Sequence, residues 1–163
     1  MAFDAFLKLD GVTGESSKTN HKGEIEIMSF SWGASNPTSA AHGTGMSTGK
    51  VSLSDFSIMK TTDKASPTLF LNCCSGKHFP TANVTIQKAT GGDTGETYLQ
   101  YDFTEVYVSS IQWSGSSGGD DKPMESVSFA YGQVKISYKP QDAQGKLGSQ
   151  IMAGWNQVQN AKV

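Results

Sequence analysis

Charged residues are scarce in this chain of 163 residues, where only 17% are Asp, Glu, Lys or Arg; soluble domains typically have about 25%. The formal net charge is −2 and no stripe of basic residues occurs, so the sequence offers no footprint for a nucleic acid. No apolar run approaches the roughly 20 residues that a membrane-spanning helix needs, which argues against membrane insertion. A surface poor in charge instead favours extensive protein–protein contact, because interface cores are depleted in charged residues.

Residues that bind metals or act as thiol nucleophiles are also few. The three histidines (His21, His42, His78) are scattered without ligand spacing, and the adjacent Cys73 and Cys74 cannot supply a C-x-x-C pair. The sequence therefore predicts no metal and no other cofactor.

The sequence predicts no catalytic residues and no enzyme; a secreted enzyme that uses Cys73 or Cys74 with His78 as its base is a third hypothesis, after a structural subunit and a small ligand-binding barrel. The cysteines, however, come late on a predicted helix rather than at its N-terminus, where a thiolate is favoured. We interpret them as reduced thiols of a protein made in the cytoplasm, since the N-terminus shows no secretory signal pattern.

The most informative segment is a predicted strand with two unlike faces. Because side chains alternate along a strand, Met28, Phe30 and Trp32 are predicted to point toward a core. Ser29 and Ser31 then point the other way, and their small hydroxyls offer hydrogen bonds without charge. This division favours a smooth, wetted wall over a catalytic site.

The same alternation of small polar and apolar residues recurs in later predicted strands. Ser126 and Ser128 oppose Val127 and Phe129. Further polar faces, whose surroundings alternation cannot assign, are formed by Asn83, Thr85 and Gln87 and by Gln100, Asp102 and Thr104.

The pattern along the chain predicts a mainly β protein, a small antiparallel β-barrel with one short flanking α-helix and a long extended loop, in a single domain spanning 1–163. Predicted strands are 3–9, 24–32, 51–60, 82–88, 98–113 and 124–140, with bulges near 27–28 and 132. A helix is predicted at about 66–76, capped by Ser66, with Pro67 at its first position and Gly76 at its end. Residues 36–50 read as a projecting loop, and the polar tail 141–163 has no predicted position.

Several segments, in order, resemble the haemolysin-coregulated protein family, the tube subunits of bacterial type VI secretion systems. These segments are 14–16 (GES), 21–22 (HK) leading to 30–33 (FSWG), 64–67 (KASP), 75–80 (SGKHFP), 108–110 (VSS), 125–128 (ESVS), 138–141 (YKPQ) and 154–156 (GWN). The resemblance covers nearly the whole chain in the expected order.

The resemblance implies that the barrel assembles as a hexameric ring and that the rings stack into a tube. The implied partners are other copies of the chain, a spike protein at the tip, a contractile sheath with its baseplate, and effector proteins in the lumen. It also implies export through this apparatus, without a signal peptide, to the outside or into a target cell.

Residues of this chain that match the family's functional positions follow from the same resemblance. Ser29 and Ser31 are expected to line the lumen and contact cargo. The loop 36–50 is expected to reach neighbouring subunits or the next ring, through Asn36, Thr38, His42, Met46 and Lys50. The alternative to a tube subunit is a monomeric small β-barrel that binds a ligand in an enclosed apolar pocket.

Overall fold

The computed structural model describes residues 3–39, 47–88, 95–119 and 121–163. Within these ranges the chain forms thirteen β-strands and one α-helix. They are β1 (Phe3–Leu9), β2 (Ile25–Ile27), β3 (Ser29–Ser31), β4 (Ala34–Ser35), β5 (Thr38–Ser39), β6 (Ser47–Thr48), β7 (Ser52–Leu53), β8 (Phe56–Thr61), α1 (Ser66–Ser75), β9 (His78–Lys88), β10 (Glu96–Ser114), β11 (Met124–Tyr138), β12 (Ile151–Asn156) and β13 (Ala161–Lys162). No helix in the part of the chain that the structure describes is long and apolar enough to cross a membrane.

One antiparallel sheet contains most of the strands, in the hydrogen-bonded order β13-β12-β11-β10-β9-β1-β2. The first half of β11 also pairs with β8, which in turn pairs with β3, whereas the second half of β11 pairs with β12. The predicted mainly β architecture with a single flanking helix is confirmed for the described residues. The long strands β10 and β11 therefore join two halves of the sheet.

The sheet is not closed into a barrel by a continuous ladder, which corrects the sequence-based expectation. β2 pairs with β1 and β3 pairs with β8, but the two short strands are separated at Met28. The Met28 N–H donates to the carbonyl of Met59 (2.8 Å), and its side chain is 58% exposed rather than in the core. The predicted change in the buried side of the strand near 27–28 is confirmed. It takes the form of a break between β2 and β3 at Met28.

A second change of face occurs where β10 and β11 cross from one half of the sheet to the other. In β11 the buried side chains move from Tyr131 to Val134, as predicted for a bulge near Gly132. β10 changes face at the same level, at Glu105, which has a positive φ of 55°. Because both strands turn over together, the register between them stays continuous at this point.

Helix α1 lies close to its predicted position. Its C-terminus is closed by Gly76, whose φ of 69° is left-handed and whose N–H donates to the Asn72 carbonyl. The predicted N-cap is wrong, since Ala65 occupies that position without a side-chain hydrogen bond. Ser66 instead accepts a hydrogen bond from the backbone N–H of Asp63 (3.0 Å).

The predicted loop 36–50 is partly a two-stranded ribbon. β4 pairs with β7 at its base, and β5 pairs with β6 further out. The predicted strand 51–60 is accordingly split, because its first part joins this ribbon and its second part, β8, joins the sheet. His42 and Met46 lie outside the described residues.

The inner surface of both halves of the sheet forms one hydrophobic core, covered at one end by Leu69 of α1. The tail, for which the sequence predicted no position, adds β12 and β13 to the edge of the sheet beside β11. The largest fully buried apolar side chains of the core are Phe56, Leu7, Ile25, Ile58, Leu69, Ile86, Val84, Val106 and Val127.

Candidate functional site

The two serines singled out by the sequence lie on one exposed surface of the sheet. In the pairing of β3 with β8, Ser31 stands opposite Ser57 and Ser29 opposite Met59. Both Ser29 and Ser31 are exposed, while Phe30 between them packs against the core. The predicted division into a serine side and an apolar side is confirmed for Ser29, Ser31, Phe30 and Trp32, but not for the exposed Met28.

The register extends this surface across four strands. Ser57 of β8 pairs with Ser128 of β11, which pairs with Ser110 of β10. In the neighbouring row, Met59 of β8 pairs with Ser29 of β3 on one side and with Ser126 of β11 on the other, and Ser126 pairs with Gln112 of β10. We call the eight side chains of these two rows the serine face: Ser29, Ser31, Ser57, Met59, Ser110, Gln112, Ser126 and Ser128.

The reverse of the serine face is core. Ile58 and Val127 alternate with the serines of β8 and β11 and are fully buried, and Ile111 of β10 packs against the same cluster. The serine side chains are thus fixed by strands whose other side is anchored in the interior. The side chains of the serine face are therefore carried by strands that are packed against the core on their other side.

No member of the serine face carries a charge. In its middle, the hydroxyl groups of Ser57 and Ser128 hydrogen-bond to each other (2.9 Å). Asp55, the residue directly before β8, accepts a hydrogen bond from Ser109 at its Oδ2 (2.7 Å). The surface can therefore form neutral hydrogen bonds and van der Waals contacts, but no salt bridges of its own.

Charged groups lie behind the serine face, in the row next to Met59 and on the core side. Lys60 Nζ lies 3.0 Å from Glu125 Oε1 and 2.9 Å from Asp63 Oδ1, and Trp113 Nε1 donates to Glu125 Oε2 (2.8 Å). The side chains of Lys60 and Glu125 are both 0% exposed. Burial by itself raises the pKa of Glu125, but hydrogen bonds from Ser66, Lys60 and Trp113, together with the charge of Lys60, lower it below its ordinary value. This ion pair ties β8 to β11 beneath the serine face.

The outward surface of the other half of the sheet is different. Lys8 of β1 pairs with Asn83 of β9, Asn83 with Asp102 of β10, and Asp102 with Lys135 of β11. The Asp102 carboxylate accepts hydrogen bonds from Asn83 and from Gln100 (2.8 Å for Gln100). We call the row Lys8, Asn83, Asp102 and Lys135 the charged face. Asn83 and Asp102, left unassigned by the sequence, thus belong to the half of the sheet without the serine face.

Gln87 also lies on this half, but it is covered rather than exposed. The loop before β2 places His21 over Phe6, with ring centroids 4.4 Å apart. His21 Nδ1 is 2.8 Å from Glu24 Oε2, and its Nε2 is 2.6 Å from the Gln87 amide nitrogen. The polar side chains of β9 therefore include a buried one that holds a loop in place.

Comparison with known proteins gives the family. A model of the family described as "Type VI secretion system effector, Hcp" matches residues 6–138. The chain is also 43% identical over 163 residues to Protein hcp1 of Pseudomonas aeruginosa, covering 99% of each chain. This chain belongs to the Hcp family. It is a type VI secretion tube protein.

Solved Hcp structures share the fold. The chain is similar to a type six secretion system protein with a TM-score of 0.93 and 41% identity, covering 99% of this chain and 100% of the other. It is likewise similar to Hcp1 of Salmonella typhimurium, with a TM-score of 0.83 and 36% identity over 100% of both chains. The predicted family and the predicted mainly β, antiparallel fold are confirmed, and Hcp is a structural, secreted family.

Three of the predicted loop residues of this Hcp chain, Asn36, Thr38 and Lys50, lie within the described residues. Asn36 and Lys50, at the base of the ribbon, help to line an open groove of about 550 Å³. Its other lining residues are largely apolar and include Trp32, Trp155 and Ile136. Thr38 lies further out, paired with the opposite strand of the ribbon.

The thiol–histidine arrangement finds no supporting contact among the described residues. Cys74 is exposed and Cys73 half-buried on α1, whereas His78 lies against Tyr107 with ring centroids 5.6 Å apart. Within the same residues no group of three His, Cys, Asp or Glu side chains could hold a metal ion.

Sequence reasoning gave no role to half of the serine face. Ser57 and Met59 flank Ile58, and Ser110 and Gln112 flank Ile111, so each pair carries the same alternation as Ser29 and Ser31. That signal was present in the sequence. Only the strand register, however, shows that these pairs form one surface.

Proposed function

We propose that six copies of this chain, each a single tube domain spanning 1–163, form a ring whose lumen is lined by the serine face. Stacked rings form the inner tube that sheath contraction ejects. The observation that carries this proposal is the neutral, small-residue surface across four strands in a member of a type VI secretion tube family.

The chemistry of the serine face suits a conduit that holds cargo and then releases it. Neutral hydrogen bonds contribute only about 0.5–1.5 kcal/mol each, so a cargo protein bound by them is retained weakly. Small side chains without charge also present no electrostatic barrier to proteins of either sign. Ser29 and Ser31, exposed on β3, are the cargo contacts in this proposal.

The route and the partners follow from the family. We infer that the chain is made in the cytoplasm and leaves through the type VI apparatus without a signal peptide. Its partners are then other copies of itself, the spike protein at the tube tip, the sheath and baseplate, and effector proteins in the lumen.

The ribbon formed by β4–β7 supports a role in assembly. It projects from the sheet and pairs mainly with itself, and Asn36 and Lys50 at its base border an apolar groove. We propose that the segment 36–50, including Thr38, His42 and Met46, contacts a neighbouring subunit or the next ring. Shortening this segment should leave the fold intact and reduce the ordering of rings into stacks in electron micrographs.

Native mass spectrometry with negative-stain imaging of the same sample tests the ring directly. A hexamer seen as an open ring supports the proposal. A stable monomer at micromolar concentration would reject the ring and favour the ligand-binding module. That alternative also needs an enclosed apolar pocket, whereas the groove beside Trp155 is open to solvent.

The role of the serine face in cargo binding is tested by Ser31→Gln, which adds bulk without charge. We expect intact rings and a reduced yield of the proteins that co-purify with the wild-type tube. Ser137→Gln is the matched control, because Ser137 lies on β11 opposite Gln100, on the half of the sheet that carries the charged face. Equal co-purification from both variants would contradict the proposal.

A further inference from the structure

Exposure varies systematically across the serine face. On its two outer strands the side chains are exposed. On its two middle strands the side chains are less exposed and half-buried: Ser57, Met59, Ser126 and Ser128. The exposed members are Ser29 and Ser31 on β3 and Ser110 and Gln112 on β10. The two lateral strands therefore leave more of their side-chain surface open to a partner.

Hydrogen-bond partners also differ between members of the serine face. Ser57 and Ser128 in the middle are bonded to each other. The hydroxyl of Ser110 and the amide of Gln112, in contrast, have no side-chain hydrogen bond to any described residue. The Gln112 amide alone offers two donor hydrogens and an acceptor oxygen, more than any serine.

The two lateral strands are three strand spacings apart, or about 14 Å. Met59, the one apolar side chain of the serine face, lies between them in the row that begins at Ser29 and ends at Gln112. A partner that spans this width can donate and accept hydrogen bonds at both ends and place an apolar group over Met59.

We infer that Ser110 and Gln112 form a second cargo-contact strip, matching the strip of Ser29 and Ser31 on the other side of Met59. This inference rests on the proposed cargo role of the serine face. The cargo surface that fits is that of a folded protein with neutral hydrogen-bonding groups about 14 Å apart and an apolar group between them. Its charges lie elsewhere, since the serine face has none to pair with them.

The experiment uses the cargo protein that co-purifies with wild-type rings and is lost from Ser31→Gln, identified by mass spectrometry and purified separately. Binding of this protein is measured to wild-type rings and to rings of Ser31→Gln, Ser110→Gln, Gln112→Ala and the control Ser137→Gln. Native mass spectrometry first establishes that each variant still forms the same assembly. We expect Ser110→Gln and Gln112→Ala each to weaken binding by about three- to tenfold, the range for one lost neutral hydrogen bond. Ser137→Gln should bind like the wild type.

The outcomes separate the two levels of the proposal. If only Ser31→Gln loses binding, the second strip is rejected while the cargo role of the serine face stands. If Ser31→Gln loses no co-purifying protein, the cargo role fails and the strip fails with it. Gln112→Ala removes atoms and adds no bulk, so a loss of binding there in an intact assembly supports the strip even if Ser110→Gln disturbs assembly.

Discussion

The serine face and the charged face belong to one sheet, yet they arrange their polar groups in opposite ways. On the serine face the exposed groups are neutral, and the charges of Lys60 and Glu125 lie behind it at 0% exposure. On the charged face Lys8, Asp102 and Lys135 point outward, with Asp102 paired by register to Lys135. The same two strands, β10 and β11, contribute to both surfaces.

The comparison shows how one strand can serve two surroundings. In both strands the alternation of buried and outward residues shifts at Glu105 and Gly132. On one side of this level the outward residues belong to the charged face, and on the other side they belong to the serine face. Outward charges give an interface electrostatic selectivity for its partner. A neutral serine surface lacks that selectivity, which is consistent with the proposed role of this surface as a wall for cargo proteins of either charge.

The largest expected effect comes from removing the charge beneath the serine face. Glu125→Gln leaves the buried Lys60 with Asp63 as its remaining carboxylate, and breaking a buried pair typically costs about 3–5 kcal/mol. We expect a loss near the lower end of that range, measured as the free energy of unfolding in urea. Asp102→Asn on the charged face is the control, for which the loss should be below about 1 kcal/mol. Equal losses would mean that the buried pair contributes no more than a surface charge.

The contribution of the same buried pair should also appear in the pH dependence of the unfolding free energy. Burial raises the pKa of Glu125, but the hydrogen bonds from Ser66, Lys60 and Trp113 prevail and lower it. A carboxyl whose pKa is lower in the folded than in the unfolded state contributes stability above its unfolded pKa of 4.5, and this contribution is lost as the pH falls through its folded pKa.

The measurement is the unfolding free energy of the wild type and of Glu125→Gln as a function of pH. The difference between them should be largest at neutral pH and should shrink as the pH falls below 4.5. A difference that stays constant down to about pH 3 would show that Glu125 ionisation does not stabilise the fold.

Much of the fold could be predicted because its signals are local. Alternation identifies most long strands, and the changes of side-chain parity locate the break at Met28 and the change of buried side at Gly132. The sequence placed Met28 in the core, because parity alone cannot show which residue a broken strand expels. The predicted N-cap at Ser66 is wrong for a similar reason, since a serine at the start of a helix can bond to the preceding turn instead of capping the helix.

The candidate site depended on information that is not local. Ser31 and Ser110 are distant in sequence, and each shows only that one side of its own strand is polar. Their common surface exists because β8 and β11 lie between them in a particular register. The assignment of Asn83 to the other half of the sheet required the same register, which alternation within one strand does not contain.

A smaller effect is expected at the level where β10 and β11 change face. A Cβ added at Gly132 would lie 2.7 Å from Glu105 Oε2 and 3.3 Å from Glu105 Cβ. Gly132→Ala should therefore cost about 1–2 kcal/mol of unfolding free energy, in the range for moderate overpacking. The double variant Gly132→Ala with Glu105→Gly should recover most of this loss, since glycine removes the contacting side chain and accepts the positive φ of 55°. Failure of the second substitution to recover stability would place the strain elsewhere.

The smallest expected effect concerns the charged face itself. Lys135→Gln removes the charge that stands opposite Asp102 in the strand register and should change the unfolding free energy by about 0.2–1 kcal/mol, with the difference decreasing as salt is added. Ser128→Ala, on the first half of the same strand, removes the hydrogen bond to Ser57 and should cost a similar amount. The two variants should differ in their response to salt, because only the first removes a charge. Urea unfolding at low and high ionic strength measures this difference. Equal salt dependence of the two variants would contradict this prediction. It would mean that the charge of Lys135 makes no measurable electrostatic contribution to the unfolding free energy.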